Sequence, residues 1–164
     1  NKLFGLGQGM AVTAGLLHDV GRIVLCAKRP VRFREADRFD YREDADALRR
    51  EREAFGIDHP AVGYRFAAKH NLPEPVARAV LNHHRPAEER LHPELVALVG
   101  TAEAVANHVQ RERQLRSFDV TADPAFQVLS AGWPAARVGG FAELLPEVVT
   151  DAIREARGMC RSAG

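Results

Sequence analysis

The chain has 164 residues, 46% of them hydrophobic and 27% charged, values of a globular protein with one sizeable core rather than of a disordered chain or of two ordinary domains. Its 23 Lys and Arg balance 22 Asp and Glu to a net charge of +1, so no long-range field selects nucleic acid or an anionic membrane as partner. Cys26 and Cys160 lie far apart with no metal-ligand spacing and read as reduced thiols of a cytoplasmic protein.

Helical periodicity dominates the chain, and no stretch shows sustained β-type alternation, which predicts an all-α fold in a single domain over residues 1–164. The first helix is expected from about Met10 to Leu17, with a break around Asp19 and Gly21, a resumption from Ile23 to Ala27, and a stop at Pro30. Asp19 and Arg22 interrupt its apolar run well short of the ~20 residues of a membrane span. The polar stretch "FREADRFDYREDADALRRERE" carries charges three and four apart and reads as a solvated helical face.

"FGIDHPAVGYRFAAKHN" has the form of a capped helix: Asp58 can accept from the open amides of the first turn, and the missing N–H of Pro60 costs nothing there. Val62, Phe66 and Ala67 share one side of it. "LPEPVARAVLNHHRP" is a short helix with the stripe Val76, Ala79 and Val80, closed before Pro86. The longest periodic segment follows, with Leu95, Leu98, Val99, Ala102, Val105 and Ala106 at helical intervals. After it come a loop-rich region with one short helix capped at Asp123 and Pro124, and a last amphipathic helix from about Ala142 to Arg157 carrying Leu144, Leu145, Val148, Val149 and Ile153.

Against these helices, the pair His18 and Asp19 stands out, because Leu16, Leu17, Val20, Ile23 and Val24 surround it and a carboxylate leaves water only with a partner or a cation. Neighbouring residues on a helix point about 100° apart, so the pair can serve one point in space only where the helix ends or kinks. His83 and His84 also sit at a helix end, and His59 lies in a first turn. Taken singly, His59 reads as an exposed first-turn residue, His83 or His84 as a C-terminal cap, and Glu103 as a surface or ion-paired residue. His70, His92 and His108 read as structural. As a set, imidazoles and carboxylates from facing helices suit iron, manganese or zinc, and Arg22 stands near enough in sequence to neutralise a phosphate on such an ion.

"GLLHDVGRIVL", "FGIDHPAVG", "NLPEPVARAVLNHHRP" and "LVALVGTAEAVA", in that order from about Thr13 to Ala106, resemble the HDOD domain, a regulatory branch of the HD metal-phosphohydrolase superfamily found in bacterial signalling proteins. The resemblance implies an HD-type helical bundle, with His18 and Asp19 as the superfamily's metal-binding dipeptide. His59 would match the histidine of the "HP" element of the HD-GYP relatives, and His83 with His84 their paired histidines. Arg22 takes the place of the lysine in "HDIGK", and Glu103 that of the final aspartate. The superfamily's first ligand, an upstream histidine, has no match among the 17 residues before His18, so either the bundle's N-terminal helices are missing or that ligand is. The Gly-Tyr-Pro element linked to cyclic di-GMP hydrolysis is also missing from "HHRPAEER". Two functions remain open. One is a non-catalytic signalling module acting on sensor, receiver or cyclic-dinucleotide proteins. The other is a phosphohydrolase in which His18, Asp19, His59 and His83 hold a divalent metal while Arg22 and His84 contact phosphate.

Overall fold

The computed structural model describes residues 8–37, 40, 45–112, 115 and 117–162. Among them the fold is all-α: α1 (Gln8–Leu17), α2 (Val20–Lys28), α3 (Pro30–Ala36), α4 (Ala45–Phe55), α5 (His59–Lys69), α6 (Glu74–Asn82), α7 (Pro93–Glu112), α8 (Pro124–Leu129) and α9 (Ala135–Ser162), with short 3-10 turns at Pro86–Glu88 and Val120–Ala122. Helix ends follow local chemistry. The Asp58 carboxylate accepts from Ala61 N at the start of α5, and Asp123 accepts from Phe126 N at the start of α8, each followed by a proline in the first turn.

The α6 stripe Val76, Ala79 and Val80 is fully buried, packed with Ala14, Val20, Leu95, Val96 and Val99 into the core that joins α1, α2, α6 and α7. Burying each valine contributes roughly 1.5–3 kcal/mol, so this seam fixes the helices that carry the polar residues. α7 spans both cores: its opposite side places Ala97 and Val105 with Val120, Phe126, Leu129 and Leu145. α5 packs between α2 and α6.

Several expectations need correction. The break after α1 falls at His18 and Asp19 themselves, not at Gly21, which lies buried inside α2. The reason is its missing side chain: a Cβ there would sit 2.0 Å from His59 O and 2.8 Å from Gly63 N, so glycine is what lets α2 cross α5 at backbone distance. Pro30 does more than stop a helix, since it opens α3. On α7, Ala102 and Ala106 face solvent, because the inward stripe continues through Thr101, Val105 and His108. α9 begins seven residues earlier than expected, at Ala135, and its packed stripe is Val138, Phe141, Leu145 and Val149, which leaves Leu144 and Val148 exposed.

The polar stretch is only partly a solvated face. Arg49 does form exposed pairs with Asp46 and Glu53, but Leu48 and Glu51 are buried. Residues 38–39 and 41–44 of that stretch lie outside the described residues, as does the side chain of Cys160; Cys26 is a free thiol. By length and composition Gly9–Lys28, with mean hydropathy 1.4, reaches the range of a membrane span, contrary to the sequence expectation. The turn at residues 18–19 breaks it into two helices, and Asp19 at that turn stands 3.2 Å from the fully buried His59.

Candidate metal centre

The α1–α2 turn supplies His18 and Asp19, the first turn of α5 supplies His59, the end of α6 supplies His83 and His84, and α7 supplies Glu103. Close backbone packing brings these ends together. Beside the Gly21 crossing, Gly100 of α7 lies under the end of α6, where a Cβ would meet His83 O at 2.7 Å. Asp19 holds the N-cap position of α2 without capping it, so its carboxylate is left to the imidazoles. Ligand atoms of Asp19, His59, His83 and His84 all lie within 4.8 Å of one another, and a second set, His18, Asp19 and Glu103, meets the same limit.

Asp19 is the hub. Its Oδ1 stands 3.2 Å from His59 Nε2 and 3.7 Å from His83 Nε2, and its Oδ2 stands 3.8 Å from His18 Nε2. Glu103 Oε2 is 3.9 Å from both His83 Nε2 and His84 Nδ1, and His84 Nε2 is 3.0 Å from His59 Nε2. Three of the rings have their tautomer set from behind. His18 Nδ1 donates to Gly15 O at 2.7 Å, His83 Nδ1 donates to Val80 O at 2.9 Å, and His59 Nδ1 donates to the Glu51 carboxylate at 2.8 Å. A carbonyl can only accept, so the proton of a neutral ring sits on Nδ1 and the Nε2 lone pair faces Asp19. An outer acceptor behind an inward lone pair is the arrangement metal-ligating histidines adopt.

Electrostatics reinforce this reading. Burial, then the neighbouring His84 and His59, pushes His83 well below the usual histidine range, and burial with His59 takes His84 down to about 3, so both rings stay neutral. Burial works against a charge on His59 as well, but its contacts to Asp19 and Glu51 outweigh that and raise it to about 10. Burial likewise opposes ionisation of Asp19, yet His59, His18 and His83 together hold its carboxyl well below the usual range. A proton on His59 and a metal ion thus compete for one lone pair between two carboxylates.

Asp19 Oδ1 and His83 Nε2 are buried and satisfied by no hydrogen bond, the contact from His59 being close but poorly aligned. Two such atoms aimed at one point fit a cation, and the imidazole and carboxylate donors suit iron, manganese or zinc. Asp19, His59, His83 and His84 would hold it, with His18 and Glu103 alongside. A bound divalent ion there supplies Lewis acidity and lowers the pKa of its water.

Arg22 reaches the rim but is engaged by carboxylates: it pairs with Asp37 and stands 4.0 Å from Asp19 Oδ2. His59 is fully buried and is not the exposed residue its first-turn position read as. Of the three remaining histidines, His70 lies tilted against the Phe66 ring, His92 pairs with Glu74, and His108 bonds Ser117.

Sequence reasoning missed Glu51. Its carboxylate accepts from both the backbone N and Nδ1 of His59, fixing that ring in place. One signal pointed to it: Leu48, Glu51 and Phe55 share a helical stripe, which sets an acid between two apolar neighbours.

No curated protein and no solved structure matches the chain. The profile of the HDOD domain matches residues 3–86, a little over half of the chain, and takes in His18, Asp19, Glu51, His59, His83 and His84. The chain therefore belongs to the HDOD family.

Proposed function

We propose that this chain is a bacterial, cytoplasmic signal-transduction module of the HDOD type that works through protein contacts and carries a divalent metal in its core. The single observation behind the metal is the convergence of Asp19, His59, His83 and His84 within 4.8 Å, with two buried polar atoms there satisfied by no hydrogen bond. Support for a contact role comes from family membership and from Val12, Leu16 and Ile23, large aliphatics exposed on α1 and α2. Sensor, receiver and cyclic-dinucleotide proteins are the partners of choice, and the near-neutral charge favours no nucleic acid.

Elemental analysis of protein purified without added metal tests the centre: iron, manganese or zinc should be present near one per chain and be lost in Asp19→Asn. Metal loading should raise the melting temperature and a chelator lower it, since binding to the folded state alone stabilises it. A wild-type chain that takes up no metal overturns this reading.

The second reading is a metal-dependent phosphohydrolase, favoured by a cleft that His83, His84 and Glu103 of the cluster help to line. Turnover of a phosphoester with manganese, lost in Asp19→Asn with the fold intact, would establish it in place of a purely regulatory role.

A further inference from the structure

Two faces of the chain, remote in sequence, combine exposed aliphatics with unpaired charges, and the charges are of opposite sign. On α2, Ile23 and Ala27 lie opposite the buried Leu25; on α3, which packs against α2, Val31 lies opposite the buried Phe33. Ile23 is 69% exposed and Val31 61%. Lys28, Arg29, Arg32 and Arg34 accompany these aliphatics, all exposed, and none of the four pairs with a carboxylate among the described residues. Against them stands a single acid on the two helices, Glu35.

The second face is the outer side of α9. Leu144 and Val148, 55% and 60% exposed, stand four residues apart, and Glu143, Glu147, Asp151 and Glu155 form a row beside them at the same spacing. At 1.5 Å per residue that row is about 18 Å long. Asp151 pairs with Arg154, whereas Glu143, Glu147 and Glu155 pair with no cation among the described residues. The other stripe of α9 holds it to the second core, so both faces stay open within one chain. An anionic bilayer would suit the basic face, but it would repel the α9 row and leave Leu144 and Val148 in water. A second copy covers both faces at once, and a net charge of +1 adds almost no overall repulsion between copies. Like face against like face is repulsive in either case, which makes the favoured contact one between different faces of the two copies.

We propose that this chain self-associates, the acidic outer face of α9 docking on the basic face of α2 and α3 of a second copy. This deepens the contact role proposed above, and rests on it, by naming one partner. Sedimentation equilibrium of the full chain at low and high salt tests it. Association is expected at low salt and should weaken about tenfold or more at high salt, because exposed charges are screened beyond about 8 Å already at physiological ionic strength. Two double variants, Arg32→Glu with Arg34→Glu and Glu143→Arg with Glu147→Arg, should each associate about tenfold more weakly than wild type at an unchanged melting temperature. An equimolar mixture of the two should associate again, since the intact face of each finds its complement on the other.

Three results would overturn the proposal: a wild-type chain that stays monomeric at low salt, wild-type association in either double variant, or a mixture that associates no better than its components. Binding to vesicles of phosphatidylcholine and phosphatidylserine, lost in the α3 variant and unaccompanied by self-association, would assign the basic face to a lipid surface instead. A monomeric chain that still binds a sensor, receiver or cyclic-dinucleotide protein sinks this proposal alone. A chain that binds neither itself nor any of these sinks the contact role with it.

Discussion

Replacing Gly21 with alanine tests the geometry on which the cluster depends. The added Cβ would lie 2.0 Å from His59 O and 2.8 Å from both His59 C and Gly63 N, all inside the 3.4 Å at which ordinary contact begins and the first of them by more than an ångström. All three atoms are backbone, so no side-chain rotation relieves the clash and α2 must move away from α5. Overpacking of this kind costs typically 1–3 kcal/mol, and with backbone on the receiving side the upper end applies, about 3 kcal/mol. For a domain of this size each kcal/mol lowers the melting temperature by about 2–4 °C, which gives a fall of about 6–12 °C by circular dichroism. Because α2 begins just after Asp19, the same displacement should draw its carboxylate away from His59 and weaken metal uptake. Gly15→Ala is the control: a Cβ there meets nothing within 4 Å, and alanine in a helix interior is favoured over glycine by roughly 0.5–1 kcal/mol, so this variant should melt slightly higher. Gly21→Ala protein melting within 2 °C of wild type would refute the argument.

Glu51→Gln leaves only one acceptor for the two N–H groups of His59 and removes the charge; loss of an outer partner of this type should lower metal affinity about 10- to 100-fold, read by competition with a chromophoric chelator. Glu89 is buried, and although burial alone would raise its carboxyl, bonds from Arg78, Leu91 N, Asn82 and His92 N bring it down to about 2. A depressed carboxyl stabilises the fold above its unfolded value of 4.5, and that contribution, about 3 kcal/mol at 1.36 kcal/mol per pH unit, is lost as pH falls from 4.5 toward 2. Glu89→Gln should therefore be less stable than wild type at pH 7, and the difference should shrink on acidification; equal spacing of the two melting curves at all pH values would contradict it. Leu16, 78% exposed, can become glutamine with a stability change within about 0.5 kcal/mol, while capture of a signalling partner should weaken if α1 and α2 form the docking face.

What could be read from the sequence was local. Asp58 with Pro60, and Asp123 with Pro124, announce helix starts because capping is decided within four residues, and the stripe Val76, Ala79 and Val80 announces a buried face because its period is that of the helix. His18, Asp19, His59 and the two histidines that follow α6 were singled out as polar residues at helix ends, and the fold brings them together. What escaped was decided by neighbours distant in the chain. Glu51 sits among charges whose spacing suits a solvated face, and only the approach of α5 makes it the acceptor behind His59. Leu144 and Val148 have the right chemistry for a core but fall one residue off the stripe, a displacement of about 100° that periodicity over so short a window does not resolve. Gly21 read as a helix breaker because the crossing helix it accommodates is nearly forty positions away.

The acceptors behind the three anchored rings are not equally open to mutation. Those behind His18 and His83 are main-chain oxygens, present whatever residue occupies positions 15 and 80 provided the helices persist, so ordinary codon changes there leave the orientation of both rings in place. Only the support behind His59 is a side chain. A lineage could thus silence this centre while retaining every donor that faces it, through one change at position 51, and inspecting the inward-facing residues of a homologue would not reveal the loss.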